Sequence, residues 1–210
     1  MENTELEHQW GSLHADFIDF LFISLNRKNI KYFILRNHEQ LPVSNSGKDV
    51  DIVIVPRSYS MVMESILDTM RHFGIHYYQI TQFDRMRCWY IMEHTKKFGI
   101  HIDIIENEIY KGFEFFSFNY LYKQVIKFKN FYVLNKPMDI VMLLVQNIVA
   151  YKRLKEKYRN LIASNYFTCK EACDSEILHF WGNNQGQKMI ALLENKDFDA
   201  IENHPREFEK

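Results

Sequence analysis

The chain has 210 residues, 47% of them hydrophobic, which supports one large domain or two small ones with a sizeable core. A formal net charge of −1 carries no overall basic footprint and argues against nucleic acid as a partner. Seven glycines and four prolines argue against disorder, and neither GxGxxG nor the P-loop pattern occurs.

Residues Leu13 to Asn26 place Phe17, Ile18, Leu21 and Leu25 at helical spacing. Lys31 to Arg36 reads as a short strand, and His38 to Lys48 as a loop containing Pro42, Asn45 and Gly47. Asp49 to Val55 is rich in β-branched residues and predicts a strand. Ser58 to Phe73 predicts an amphipathic helix with Met61, Met63, Ile66, Leu67, Met70 and Phe73 inward, Ser60 as a candidate cap and Gly74 as the stop. His76 to Phe83 and Arg87 to His94 predict a hairpin through Asp84-Arg85, and Ile100 to Ile105 a further strand. The aromatic run from Phe113 to Tyr122 is expected to be core, and Gln124 to Asn135 a hairpin turning at Lys129-Asn130. Beyond Pro137 the pattern turns helical, over Met138 to Tyr158, Lys170 to Phe180 and Gln185 to Leu193, with a loose tail from Asn195. The expected division is an α/β part over 1–122 and a hairpin with helices over 123–210.

Three cysteines, Cys88, Cys169 and Cys173, make no disulfide framework. The acidic start Met1-Glu2-Asn3-Thr4-Glu5 does not resemble a targeting segment, and the apolar stretch Ile140 to Ala150 is interrupted by Gln146 and Asn147. It is too short to span a bilayer. A cytoplasmic protein with no membrane span is expected.

The chemistry concentrates at Asp49-Val50-Asp51. Side chains at i and i+2 of a strand leave the same face, about 7 Å apart along the chain. Two carboxylates so placed repel unless a cation lies between them, and oxygen-only ligation suits Mg²⁺, or Mn²⁺ in its place. The plain alternative is a solvated strand edge. Two further features weigh against it. Asn45-Ser46-Gly47-Lys48 forms a turn bearing a cation. The later strand alternates Ile100, Ile102 and Ile104 with His101 and Asp103, and an acid flanked by isoleucines needs a partner if buried.

This order of elements resembles the nucleotidyltransferase superfamily that includes DNA polymerase beta. Asp49-Val50-Asp51-Ile52 matches its Asp-hydrophobic-acid-hydrophobic strand, and Asp103 its third carboxylate. Residues 30 to 112 are similar, more narrowly, to nucleotidyltransferase-like proteins of bacterial surface-polysaccharide clusters. Where the superfamily has Gly-Ser on its first helix, this chain has Arg36-Asn37.

The resemblance implies an α+β fold: a mixed-sheet nucleotidyltransferase core with helices packed on one face, then a mostly helical C-terminal half. It implies Asp49, Asp51 and Asp103 as metal ligands and catalytic residues, with His101 supporting them. Arg36, Ser46, Gly47 and Lys48 are the candidates for the phosphates of an NTP. The implied reaction moves a nucleotidyl or phosphoryl group to a small hydroxyl-bearing acceptor such as a sugar or polyol. A non-catalytic nucleotide- or partner-binding module of the same fold is the alternative, as is a toxin-like enzyme modifying tRNA or protein. The basic run Lys152, Arg153, Lys155, Lys157 and Arg159 reads either as a phosphate rim or as a solvated helix C-terminus.

Overall fold

The computed structural model describes residues 10–45, 49–83, 86–106, 109–110, 113–203 and 208. By contacts the chain divides into two compact units, 1–109 with 116–133, and 110–115 with 134–210. The β8–β9 hairpin thus stays with the sheet, up to Val133 (strand limits below). The architecture is α+β, as expected.

The first unit is built on a mixed seven-stranded sheet. In chain order its strands are β1 (Tyr32–Ile34), β2 (Val50–Ile54), β3 (Tyr77–Phe83), β4 (Met86–Glu93), β5 (Phe98–Ile105), β8 (Val125–Phe128) and β9 (Phe131–Leu134), with β6 (Ile109–Tyr110) and β7 (Phe113–Glu114) forming a separate pair. The order across the sheet is β3-β4-β5-β2-β1-β9-β8. β2 and β5 run parallel, as do β1 and β9, while β1–β2, β3–β4 and β4–β5 are antiparallel.

Helices α1 (Ser12–Arg27) and α2 (Tyr59–Phe73) pack on one face of this sheet. Their apolar sides meet Tyr32, Ile34, Val50, Ile52, Ile54, Trp89, Ile91, Ile102 and Ile104 in one continuous core. Burial of such aliphatic and aromatic surface is the main stabilising term, roughly 1.5–3 kcal/mol for each fully buried large side chain. The inner side of α2 includes the expected Ile66 and Met70, with Met63, Leu67 and Phe73 packed against the core, but also Val62, Ser65 and Thr69, while Met61 is exposed. Two small hydroxyl residues take inward places because each donates to a carbonyl one turn back, Ser65 to Met61 at 3.0 Å and Thr69 to Ser65 at 2.7 Å. The residue at the N-cap is Ser58, and Ser60 lies inside the helix. Gly74 stops α2 with φ 59°, a left-handed conformation that a Cβ disfavours. Phe116 and Phe118 are buried, and Phe118 in α3 (Phe118–Tyr122) stacks on Phe33 from the face away from α1 and α2.

The second unit is mainly helical: α4 (Lys136–Val145), α5 (Glu156–Asn165), α6 (Lys170–Glu194) and α7 (Phe198–Asn203). Asn135 caps α4 by accepting from the Met138 amide at 3.0 Å. The single helix expected over Met138 to Tyr158 is interrupted. After a π-helical turn at Gln146–Ala150 the chain leaves helical pairing before α5 begins. The basic run therefore lies on an irregular link and the start of α5. Arg159 within it is bound to Asp199 at 2.7 Å and to Glu202. Those pairs hold α7 in place, so the tail expected to be loose is helical to Asn203. The two helices expected over Lys170 to Leu193 form one element broken at Gly182, whose φ of 74° and ψ of 177° are not helical. Among the described residues no helix is long and apolar enough to cross a membrane.

Candidate metal centre

The register of the central strands sets the site. Parallel pairing of β2 with β5 brings Asp51 opposite Asp103, and antiparallel pairing of β5 with β4 brings Asp103 opposite Cys88. Because Ile102, Ile104, Val50, Ile52, Trp89 and Ile91 turn toward α1 and α2, alternation sends His101, Asp103, Asp51, Cys88 and Tyr90 to the opposite face. Asp49 sits at a bend just before β2, one residue outside the strand expected for it. Its backbone carbonyl accepts from Asn45 Nδ2 at 3.1 Å, which ties the preceding loop to the entry of the strand.

Asp49, Asp51 and Asp103 each offer a carboxylate oxygen, and these oxygens lie within 4.8 Å of one another. Two of the three acids are nearly sealed from solvent, Asp51 at 2% and Asp103 at 5% exposure. Such burial is costly unless charge is compensated. Part of the compensation is present. Arg36 Nε donates to Asp51 Oδ2 at 2.6 Å, a charge-assisted bond from the residue just past β1. Burial pushes the Asp51 carboxyl above its ordinary range, with Asp49 and Asp103 adding to the effect and Arg36 opposing it.

At Asp103 burial acts in the same upward direction, but His101, Cys88 and Arg36 outweigh it and hold the carboxyl below its ordinary range. The adjacent Asp103 in turn raises His101. His101 Nε2 and Asp103 Oδ1 stand 2.8 Å apart, yet the contact lacks hydrogen-bond geometry and both atoms are buried without a hydrogen-bond partner. The His101 ring is fixed from the other side by Tyr90, stacked at 4.3 Å between centroids and 22° between planes. Burial, and then the neighbouring Asp103, pushes the Cys88 thiol up to about 12.

The donor set fits a hard divalent cation. Three carboxylates converge, two of them nearly sealed from solvent and sharing one guanidinium between them as the nearby cation. Of the residues singled out in the sequence, Asp49, Asp51, Asp103, His101 and Arg36 come together here. Arg36, expected at phosphates, is engaged with Asp51. Ser46, Gly47 and Lys48 lie outside the described residues, as does the Asp84-Arg85 turn. Cys88 and Tyr90 were missed as site residues. Their alternation with Trp89 and Ile91 signalled which face they occupy, but nothing in the sequence set the register that puts Cys88 beside Asp103.

No family model matches the chain, and no curated protein sequence does. Among solved structures, the chain is similar to JHP933 from Helicobacter pylori, with a TM-score of 0.48 and 11% identity over 94% of this chain and 88% of that one. It is also similar to an H. pylori protein described as a candidate nucleotidyltransferase, with a TM-score of 0.47 and 11% identity over 99% of this chain and 92% of that one.

Proposed function

We propose that the chain is a metal-dependent transferase that moves a nucleotidyl or phosphoryl group from an NTP to a hydroxyl of a small acceptor, such as a sugar or polyol. The observation that carries this reading is the meeting within 4.8 Å of three carboxylates, from β2, from the bend just before it and from the parallel strand β5. The match of Asp49-Val50-Asp51-Ile52 and Asp103 to the nucleotidyltransferase pattern supports it from the sequence side.

Asp49, Asp51 and Asp103 would hold Mg²⁺ or Mn²⁺. Bound there, the cation supplies charge neutralisation at the phosphates and acidifies the attacking hydroxyl. The chain's own part is placement, since phosphoryl transfer leaves little covalent work for side chains. Arg36 fixes the Oδ2 oxygen of Asp51 through its Nε. Asp103 is the candidate to take the hydroxyl proton as the acceptor oxygen bonds to phosphorus and the bond to the leaving phosphate breaks. Ser46, Gly47 and Lys48 remain the proposed phosphate contacts on the loop before Asp49.

Isothermal titration with Mg²⁺ and NTPs tests the reading. Binding by the wild type and its loss in an Asp49→Ala/Asp51→Ala double variant are expected, and identical null responses from both would overturn it. The capture of Asp51 by Arg36 favours one second reading, a binding module that holds a nucleotide without turning it over. Labelled NTPs incubated with a pool of sugars separate the two. Release of pyrophosphate or nucleoside diphosphate supports the transferase, and binding with no release supports the module.

A further inference from the structure

A different set of ligand atoms shares Asp103. Cys88 Sγ, a ring nitrogen of His101 and a carboxylate oxygen of Asp103 lie within 4.8 Å of one another, on the paired strands β4 and β5. Cys88 is 2% exposed, and the Asp103 side chain 8%. Thiolate, imidazole and carboxylate together are the donor set of a borderline transition metal, whereas Mg²⁺ is served by oxygen alone.

We propose that Cys88, His101 and Asp103 form a site for a Zn²⁺-like transition-metal ion, separate in ligand chemistry from the all-carboxylate cluster and joined to it through Asp103.

Two observations besides the clustering point to a ligand. Asp103 Oδ1 and His101 Nε2 are both buried without a hydrogen-bond partner, although they stand only 2.8 Å apart. Groups so arranged are more costly than either a hydrogen-bonded pair or a shared cation. An ion bound to both at about 2.0–2.2 Å with tetrahedral angles would set the two atoms roughly 3.3 Å apart, a small relaxation from the present spacing. Second, the ring carrying Nε2 is clamped by the Tyr90 stack, so the nitrogen is held in place before any ion arrives.

Three protein ligands leave a fourth position for water or a substrate oxygen. Binding would break the Cys88 S–H bond and form a metal–sulfur bond, with the proton released to solvent. Asp103 belongs to both groups of ligand atoms. The inference shares Asp103 with the carboxylate cluster, and Cys88 is the ligand that belongs to this site alone.

Cobalt(II) titration of the chelator-stripped full chain tests it. The expected result is a saturable thiolate-to-cobalt charge-transfer band in the near ultraviolet that Zn²⁺ abolishes and excess Mg²⁺ leaves intact. Cys88→Ser should remove the band, while Cys169→Ser, at a half-exposed thiol in the second unit, should leave it. Asp49→Ala should also leave it, which separates this site from the carboxylate cluster. His101→Gln, at a ring that is not fully buried, should weaken cobalt binding roughly 10-fold or more; it decides the matter if Cys88→Ser does not fold. No band in the wild type, a band undiminished in Cys88→Ser, or unchanged affinity in His101→Gln would overturn the proposal.

Discussion

On the helix-covered side of the central sheet, Val50, Ile52, Trp89, Ile91, Ile102 and Ile104 are at most 1% exposed. On the other side of the same three strands, Asp51, Cys88 and Asp103 are nearly as inaccessible, at 2%, 2% and 5%, yet all three can ionise. A sheet selected for stability alone would put aliphatic residues in those places too, because apolar burial stabilises and carboxylate burial costs. The contrast separates what holds the unit together from what it is built to do. The strands are the same, and only the parity of the residue number differs.

Substitutions on the two faces sharpen that contrast. The largest effect is expected from Asp51→Ala, which removes the carboxylate bonded by Arg36 Nε in a mostly buried setting. A loss of about 3 to 5 kcal/mol in denaturant unfolding is expected, and an Arg36→Met/Asp51→Leu double variant should recover most of it. Recovery would show that the pair is kept for chemistry and not for stability; no loss in the single variant would erase the distinction between the faces. Ile102→Ala on the covered side should cost about 2 to 5 kcal/mol through lost burial and the cavity left behind. Its binding of Mg²⁺ with NTP, measured by titration well below the unfolding midpoint, should remain.

His101→Gln removes the ring that stands 2.8 Å from Asp103 Oδ1 and helps to position that carboxylate, and about a tenfold loss of Mn²⁺ affinity is expected by titration calorimetry. The smallest stability change is expected at Asp49, which is only partly buried and adds to the repulsion at Asp51. Asp49→Ala should alter unfolding by no more than about 0.5 kcal/mol, and should lack the thermal shift with Mg²⁺ that is expected of the wild type. A large destabilisation would mean that this acid serves the fold after all.

The face carrying the acids was legible in the sequence because strand alternation needs no long-range information: isoleucines at 100, 102 and 104 force His101 and Asp103 to the other side. The meeting of Asp103 with Asp51 followed from the family resemblance, and the parallel register supplies its physical basis. Cys88 escaped notice because its neighbour is set by antiparallel pairing across β4 and β5, and sliding that pairing by one residue would send the thiol to the core. On α2 only Met61 was wrongly expected inward, and Val62, Ser65 and Thr69 were not expected there. Those hydroxyls are satisfied within the helix and can be buried. The order in the tail came from Arg159 reaching Asp199 and Glu202, contacts forty or more positions away that local pattern does not contain.

The parallel pairing of β2 with β5 has a kinetic consequence. Asp51 and Asp103 can meet only after the chain has closed a loop of about fifty residues, at an entropic cost that local helix formation does not share. The intervening β3–β4 excursion has to fold back so that β5 can enter between β4 and β2. A cation gripped by both acids would therefore act as a staple on a late-forming contact, slowing escape from the native state far more than it speeds arrival.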